Sequence, residues 1–421
     1  MTTKKMAQTA TGIDSLLSPW PGTLARLAQA VVLLILLTGP YTAGAQEDER
    51  IVVLDDSIYL RFGDQLVFHL EATSPAEITD VMLSYGPAGR GNLVNVRPVG
   101  FQPGSRVLLD YAHDLKNQPI RVFTEIEFHW AVGDSRGHRL TTPLQKFVYA
   151  DNRFDWTALE ADGLRVLAYG RPETFLRTAL YVARNARDRI MADIGGNPQR
   201  PLTLYIYTDA ADLFGTIQID RREWLVGQAF PEAATCLVVI PPDQRSAQEL
   251  ERVIPHEISH LLLGSLVTNP PYWLDEGLAT DNEGVSDPSG EVILAAAIER
   301  DQLIPFKELC TRFPDNPQQA ALAYVQSRSL LGFIRERYGR EGLQKLIRAF
   351  ENDKDCEVGV QEALGLTLDA LEVQWQNSLP QRRSLISAVA ANSGWIALWL
   401  SSLIITLLLI QWLPSWPWRS A

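Results

Sequence analysis

Two histidines four residues apart flank an acid in the run His256-Glu257-Ile258-Ser259-His260. On a helix that spacing projects both imidazoles from one face, a turn apart, so both can reach one tetrahedral cation. Glu257 is offset from them by about 100°. There it can hold and deprotonate a water that the metal activates, without being a ligand itself. A third ligand candidate, Glu276, follows His260 by sixteen residues, within Trp273-Leu274-Asp275-Glu276-Gly277-Leu278-Ala279. Pro270-Pro271 breaks the chain before it, which permits a loop and a second helix from about Tyr272 that returns to the first. Two histidines and one glutamate leave the fourth position of a Zn2+ ion open, as a catalytic site requires.

These paired motifs resemble the gluzincin branch of the zinc metallopeptidases, in particular the bacterial peptidase-MA-like proteins with HExxH and a downstream WLxEGxA. The resemblance covers roughly residues 202–379. It implies that His256, His260 and Glu276 bind zinc and that Glu257 is general base and acid. It also implies a sheet whose edge strand aligns the substrate backbone, with residues 225–229 or 236–240 as that edge. Many gluzincins carry a further oxyanion donor on a later helix, and Tyr324, in the run 321–327, matches that helix; Tyr338 and Tyr272 are weaker candidates. Asp275 and Asp281 are candidate acceptors that would orient the histidines. The metzincin pattern does not apply, because no third histidine follows at its short spacing. Pro255, directly before His256, predicts that the metal-binding helix kinks there or starts there.

Those residues need a scaffold, and the hydrophobic periodicity changes along the chain. Residues 48–152 alternate apolar and polar in short runs, as in Gln65 to Glu71 and Ile120 to Val132, which predicts an antiparallel immunoglobulin-like sandwich. Four of the six histidines (His69, His113, His129 and His138) fall here at irregular spacing and read as strand or surface residues. After a junction at about 151–162, apolar positions from Glu173 to Ile194 recur at helical spacing, 202–207 and 236–240 read as strands, and the pattern from Ser246 to about Leu379 is mostly helical. Residues 160–381 are therefore expected to form an α+β metallopeptidase-like domain. The three cysteines, Cys236, Cys310 and Cys356, match no thiolate metal pattern; Cys310 and Cys356 either bridge or, like Cys236, serve as small buried residues.

The two ends read as membrane-directed. Lys4, Lys5 and Arg26, the apolar run from Leu27 to Leu37 and Ala43-Gly44-Ala45 predict a signal peptide over residues 1–45. Residues 394–413 carry no charge and have tryptophans towards both ends, which predicts a transmembrane helix with the folded domains outside the cytoplasm. A formal charge of −12 excludes nucleic acid as partner, since no basic cluster is present to displace counterions. The expected protein is thus a membrane-anchored, extracytoplasmic zinc metallopeptidase acting on polypeptides. Two other readings remain open on sequence: a non-catalytic zinc-containing binding or interaction protein, and a zinc hydrolase of a non-peptide substrate.

Overall fold

In the computed structural model, the described residues are 50–412 except 90, 92, 99, 199, 218–226, 285–286, 352–353 and 380–391. The expected signal peptide lies outside them. Eight strands form the N-terminal unit: β1 (Val52–Asp55), β2 (Ile58–Arg61), β3 (Gln65–Pro87), β4 (Val94–Val96), β5 (Gly104–Asp114), β6 (Glu125–Asp134), β7 (Arg139–Thr141) and β8 (Gln145–Val148). All belong to one hydrogen-bonded sheet. This differs from a sandwich of short strands in two separate sheets. The cause is β3, which pairs with β1, β2 and β5 through its first half and with β4 and β6 through its second. Its register shifts between Thr73 and Ile78, across Pro75, which has no N–H to give a ladder. Phe68 and Tyr85 would stand about 56 Å apart on a straight strand, yet their ring centroids are 4.8 Å apart. The strand therefore folds over and supplies both layers, enclosing Leu66, Phe68, Leu83, Phe128 and Trp130.

The second unit follows in the order β9 (Thr157–Ala161), β10 (Leu164–Ala168), α1 (Glu173–Ile194), β11 (Leu202–Tyr207), α2 (Ala210–Phe214), β12 (Gly227–Phe230) and β13 (Thr235–Val239). Helices α3 (Ser246–Leu266), α4 (Tyr272–Asn282), α5 (Pro288–Arg300), α6 (Phe306–Leu309), α7 (Pro317–Ala349), α8 (Cys356–Leu364) and α9 (Leu368–Ser378) complete it. Its sheet runs β12-β13-β11-β10-β9, with β10, β11 and β13 parallel and the two edges antiparallel. The pleat sends Leu204, Ile206, Cys236 and Val238 into a core shared with α1, α3 and α4. It sends Tyr205, Tyr207, Leu237 and Val239 into the core of the N-terminal unit. Burial on both faces is why β13 reads as an apolar run from Cys236 onward. The junction is held too: Asp151 is buried and accepts from Arg153, Tyr207 and Thr216.

The expected transmembrane helix at 394–413 is corrected. Helix α10 (Ser393–Trp412) forms there, but among the described residues no helix is long and apolar enough to cross a membrane. The single-pass membrane placement inferred from that span is withdrawn with it. Cys310 and Cys356 do form a disulfide, while Cys236 is free and buried.

Candidate metal centre

Helix α3 buries Leu250, Val253, Ile254, Ile258 and Leu261 against the sheet, a spacing of three and four that leaves His256 and His260 together on the partly open side. Their ring centroids are 5.0 Å apart. Pro255 does not break the helix, which continues through it from Ser246 to Leu266. The Pro270-Pro271 break turns the chain, and α4 returns with Trp273, Leu274 and Leu278 buried beneath it. Glu276 then faces the histidines: its Oε2 is 3.6 Å from His256 Nε2 and 3.7 Å from His260 Nε2.

The order of packing explains why Gly277 follows Glu276. A Cβ at Gly277 would lie 2.8 Å from the backbone oxygen of Ser327 on α7, so α4 and α7 pack closely there. Trp273 is braced from the other side, where its indole N–H donates to Cys356 Sγ of the disulfide at 3.3 Å.

A metal fits these residues. One donor atom from each of His256, His260 and Glu276 lies within 4.8 Å of the others, the grouping of this kind found among the described residues. Donors about 2.1 Å from a tetrahedral ion sit roughly 3.4 Å apart, close to the two imidazole–carboxylate distances. Glu276 Oε2 is buried without a hydrogen-bond partner, and so is Glu257 Oε2. Two orphaned carboxylate oxygens beside two imidazole nitrogens are costly unless a cation or water meets them. The electrostatics agree. Burial pushes the Glu257 carboxyl up to about 7, opposed by His260 and helped by the nearby Asp275 charge. Burial also raises Glu276. For His260 burial acts downward, but Asp275 and Glu276 outweigh it and push the imidazole up to about 10. Such crowding of negative charge is what a divalent cation relieves.

The carboxylates behind the histidines were half legible. His260 Nδ1 donates to Asp275 Oδ1 at 2.7 Å, as one of the two sequence candidates would require. Asp281 does not reach a histidine; it pairs with Arg328 and Arg335. His256 Nδ1 instead donates to Glu283 Oε1 at 3.0 Å, a residue that sequence reasoning missed because it lies just past the end of α4, where helical spacing gives no guidance.

Of the two candidate edges, β12 is the outer strand and β13, at 235–239, is interior. Leu225 and Val226 lie outside the described residues. Gly227 opens β12 directly against the acid: a Cβ there would lie 2.2 Å from Glu257 Oε1. Among the tyrosines, Tyr324 lies on α7 with its ring edge-on to Phe313 at 5.1 Å. Tyr338 donates its hydroxyl to Gln374, and Tyr272 packs on Phe313 at the start of α4. Three of the four histidines of the β unit have structural partners, His69 with Asp110, His113 with Tyr85 and His138 with Asp134.

Among solved structures, the M1 zinc metallopeptidase from Deinococcus radiodurans, as a mutant bound to a Tyr-Ser-Ala substrate, is similar at 14% identity over 77% of this chain and 93% of that chain, with a TM-score of 0.35. OgpA from Akkermansia muciniphila is similar at 14% identity over 24% of this chain, with a TM-score of 0.20, and the match spans 28% of OgpA. No curated protein matches the chain. The family model of the Peptidase MA superfamily matches residues 182–381. That match covers the segment that carries α3, α4 and α7, and it supports the gluzincin-like resemblance of the sequence.

Proposed function

We propose that the chain is a zinc-dependent peptidase in which His256, His260 and Glu276 hold the metal and Glu257 moves the proton. The observation that carries this reading is the convergence of three ligand atoms with an unpartnered buried acid at the open edge of a sheet. A zinc ion held there supplies Lewis acidity towards the scissile carbonyl and an acidified water. The rest is the chain's own work. Glu257, whose Oε2 has no hydrogen-bond partner among the described residues, takes the proton of the attacking water and returns it to the departing amine. A carboxyl near pH 7 suits both directions of that transfer. Among the described residues β12 pairs with β13 alone, so an extended polypeptide can add to its outer edge, beside Glu257. Asp275 and Glu283 hold the Nδ1–H of each histidine, turning Nε2 towards Glu276. Tyr324 is assigned the oxyanion donor.

The test is zinc content and cleavage of a mixed peptide library by the full chain and by Glu257→Ala. Zinc in both, with cleavage by the native chain alone, is expected. Zinc in both and no cleavage by either refutes the peptidase reading in favour of a binding module.

A further inference from the structure

A proline inside a helix has no N–H to give the carbonyl four residues back. In α3 that carbonyl is Glu251 O, which Pro255 leaves without its helical donor. It is not left unpaired. The N–H of Gly284, two residues beyond α4, donates to it at 2.8 Å. The approach is close enough to favour glycine: an added Cβ would lie 3.0 Å from Glu251 O and 3.3 Å from Glu251 Oε2. The chain leading to that bond is tied as well. Arg189 of α1 donates through Nη2 to Asn282 O at 2.9 Å, and Glu283 N donates to Thr280 O at 3.3 Å. Between the two anchored residues sits Glu283, with Oε1 at 3.0 Å from His256 Nδ1.

We propose that Glu283 is a positioning residue for His256, and that Pro255 is the device that docks it, by opening the Glu251 carbonyl to the Gly284 N–H. This rests on the zinc reading given above. The two histidines are held differently. Asp275, inside α4, reaches His260 directly. The other acid of α4 past Glu276, Asp281, faces Arg328 and Arg335. The orienter for His256 must therefore come from the irregular chain after the helix, and such a chain holds a side chain in place only if its own backbone is fixed. The Glu251 carbonyl, which Pro255 leaves open to Gly284, fixes it on the same helix that carries the histidine. Helix α3 thus gives up one internal hydrogen bond and receives in exchange a tether that sets the orientation of one of its ligands.

Restoring the missing donor separates this from a merely structural role. In Pro255→Ala, the N–H of residue 255 competes for Glu251 O and displaces Gly284. The helix itself is improved by the exchange, because alanine is the better helical residue. A proline with no part in the site predicts a chain at least as stable with unchanged metal affinity. The tether predicts an equal or higher melting temperature together with weaker zinc binding.

The experiment uses the full chain stripped of metal, with zinc affinity measured by competition against a chromophoric chelator and thermal unfolding followed without metal. Glu283→Ala is expected to lose roughly 10- to 100-fold in zinc affinity. Glu283→Gln keeps an acceptor oxygen and is expected to recover most of that loss. Pro255→Ala is expected to bind zinc several-fold more weakly without a fall in the metal-free melting temperature. Native affinity in Glu283→Ala overturns the positioning role, and native affinity in Pro255→Ala overturns the tether. Equal losses in the Gln and Ala variants, with both melting early, also overturn it, as the signature of a structural contact. A native chain that binds no zinc refutes the metal reading first, and is distinguishable from the other failures because no variant is needed to see it.

Discussion

Gly277→Ala sets two opposed effects against one another inside the metal centre. Alanine is the better helix former, worth about 1 kcal/mol over glycine in a helix interior. Against this, the new Cβ would stand 2.8 Å from Ser327 O, 3.0 Å from Ser327 C and 3.3 Å from Ser327 Cβ. Restoring ordinary contacts requires α4 and α7 to part by roughly 0.5 Å. Ser327 is fully buried and its carbonyl belongs to the helix, so no flexible side chain can absorb the motion. Overpacking of this kind costs about 1–3 kcal/mol, leaving a net loss of about 0–2 kcal/mol. For a unit of this size that lowers the melting temperature by up to roughly 8 °C. The metal is hit harder than the fold. Glu276 adjoins the substituted residue, and metal–ligand distances tolerate only about ±0.2 Å. Zinc affinity is therefore expected to fall by at least about tenfold, even if stability barely changes. Calorimetry of the metal-free chain and chelator competition measure the two effects separately. A variant that is more stable than native and binds zinc as tightly would show that α4 and α7 are not in the contact described, and would refute the argument.

Gly227→Ala places a methyl group against Glu257 rather than against a ligand, so zinc should be retained while peptide cleavage falls by about 100-fold or more; loss of zinc in step with activity would count against the assignment. The disulfide joins residues 46 apart, a loop whose closure is worth about 4 kcal/mol in the chain-entropy account. Serine at both Cys310 and Cys356 should lower the melting temperature and, through Trp273, loosen α4; an unchanged melting temperature would refute it. Asp134 is buried, which alone would raise its pKa, yet donation from the His138 side chain and backbone, Ser74 and Arg136 holds it down at about 2. Its folded pKa lies below the unfolded value near 3.9, so its contribution is complete above about pH 4 and is lost as pH falls towards 2. The melting temperature of the native chain should drop more steeply over that window than that of Asp134→Asn; parallel curves would deny Asp134 that role.

The candidate site was legible in the sequence where helical geometry alone decides it. A spacing of four puts His256 and His260 on one face, and the double proline before Tyr272 signals a return that brings Glu276 back. The alternation of residues 48–152 likewise shows a β unit, and the later 3.6-residue periodicity shows helices. What depends on contacts between distant segments was not legible. Strand β3 alternates without interruption through Pro75, so its pattern cannot reveal that it folds over to serve two layers. The hydropathy of 394–413 suggested a span that no described helix provides. Asp281 and Glu283 are equally acidic and two residues apart, yet Arg328 and Arg335 claim one while His256 takes the other. Local spacing determines which side chains share a face, because backbone geometry repeats. Which partner each meets is decided only when helices and strands pack. Pro255 shows the division clearly: in the sequence it is a break in a helix, and in the folded chain its missing N–H is where another segment docks.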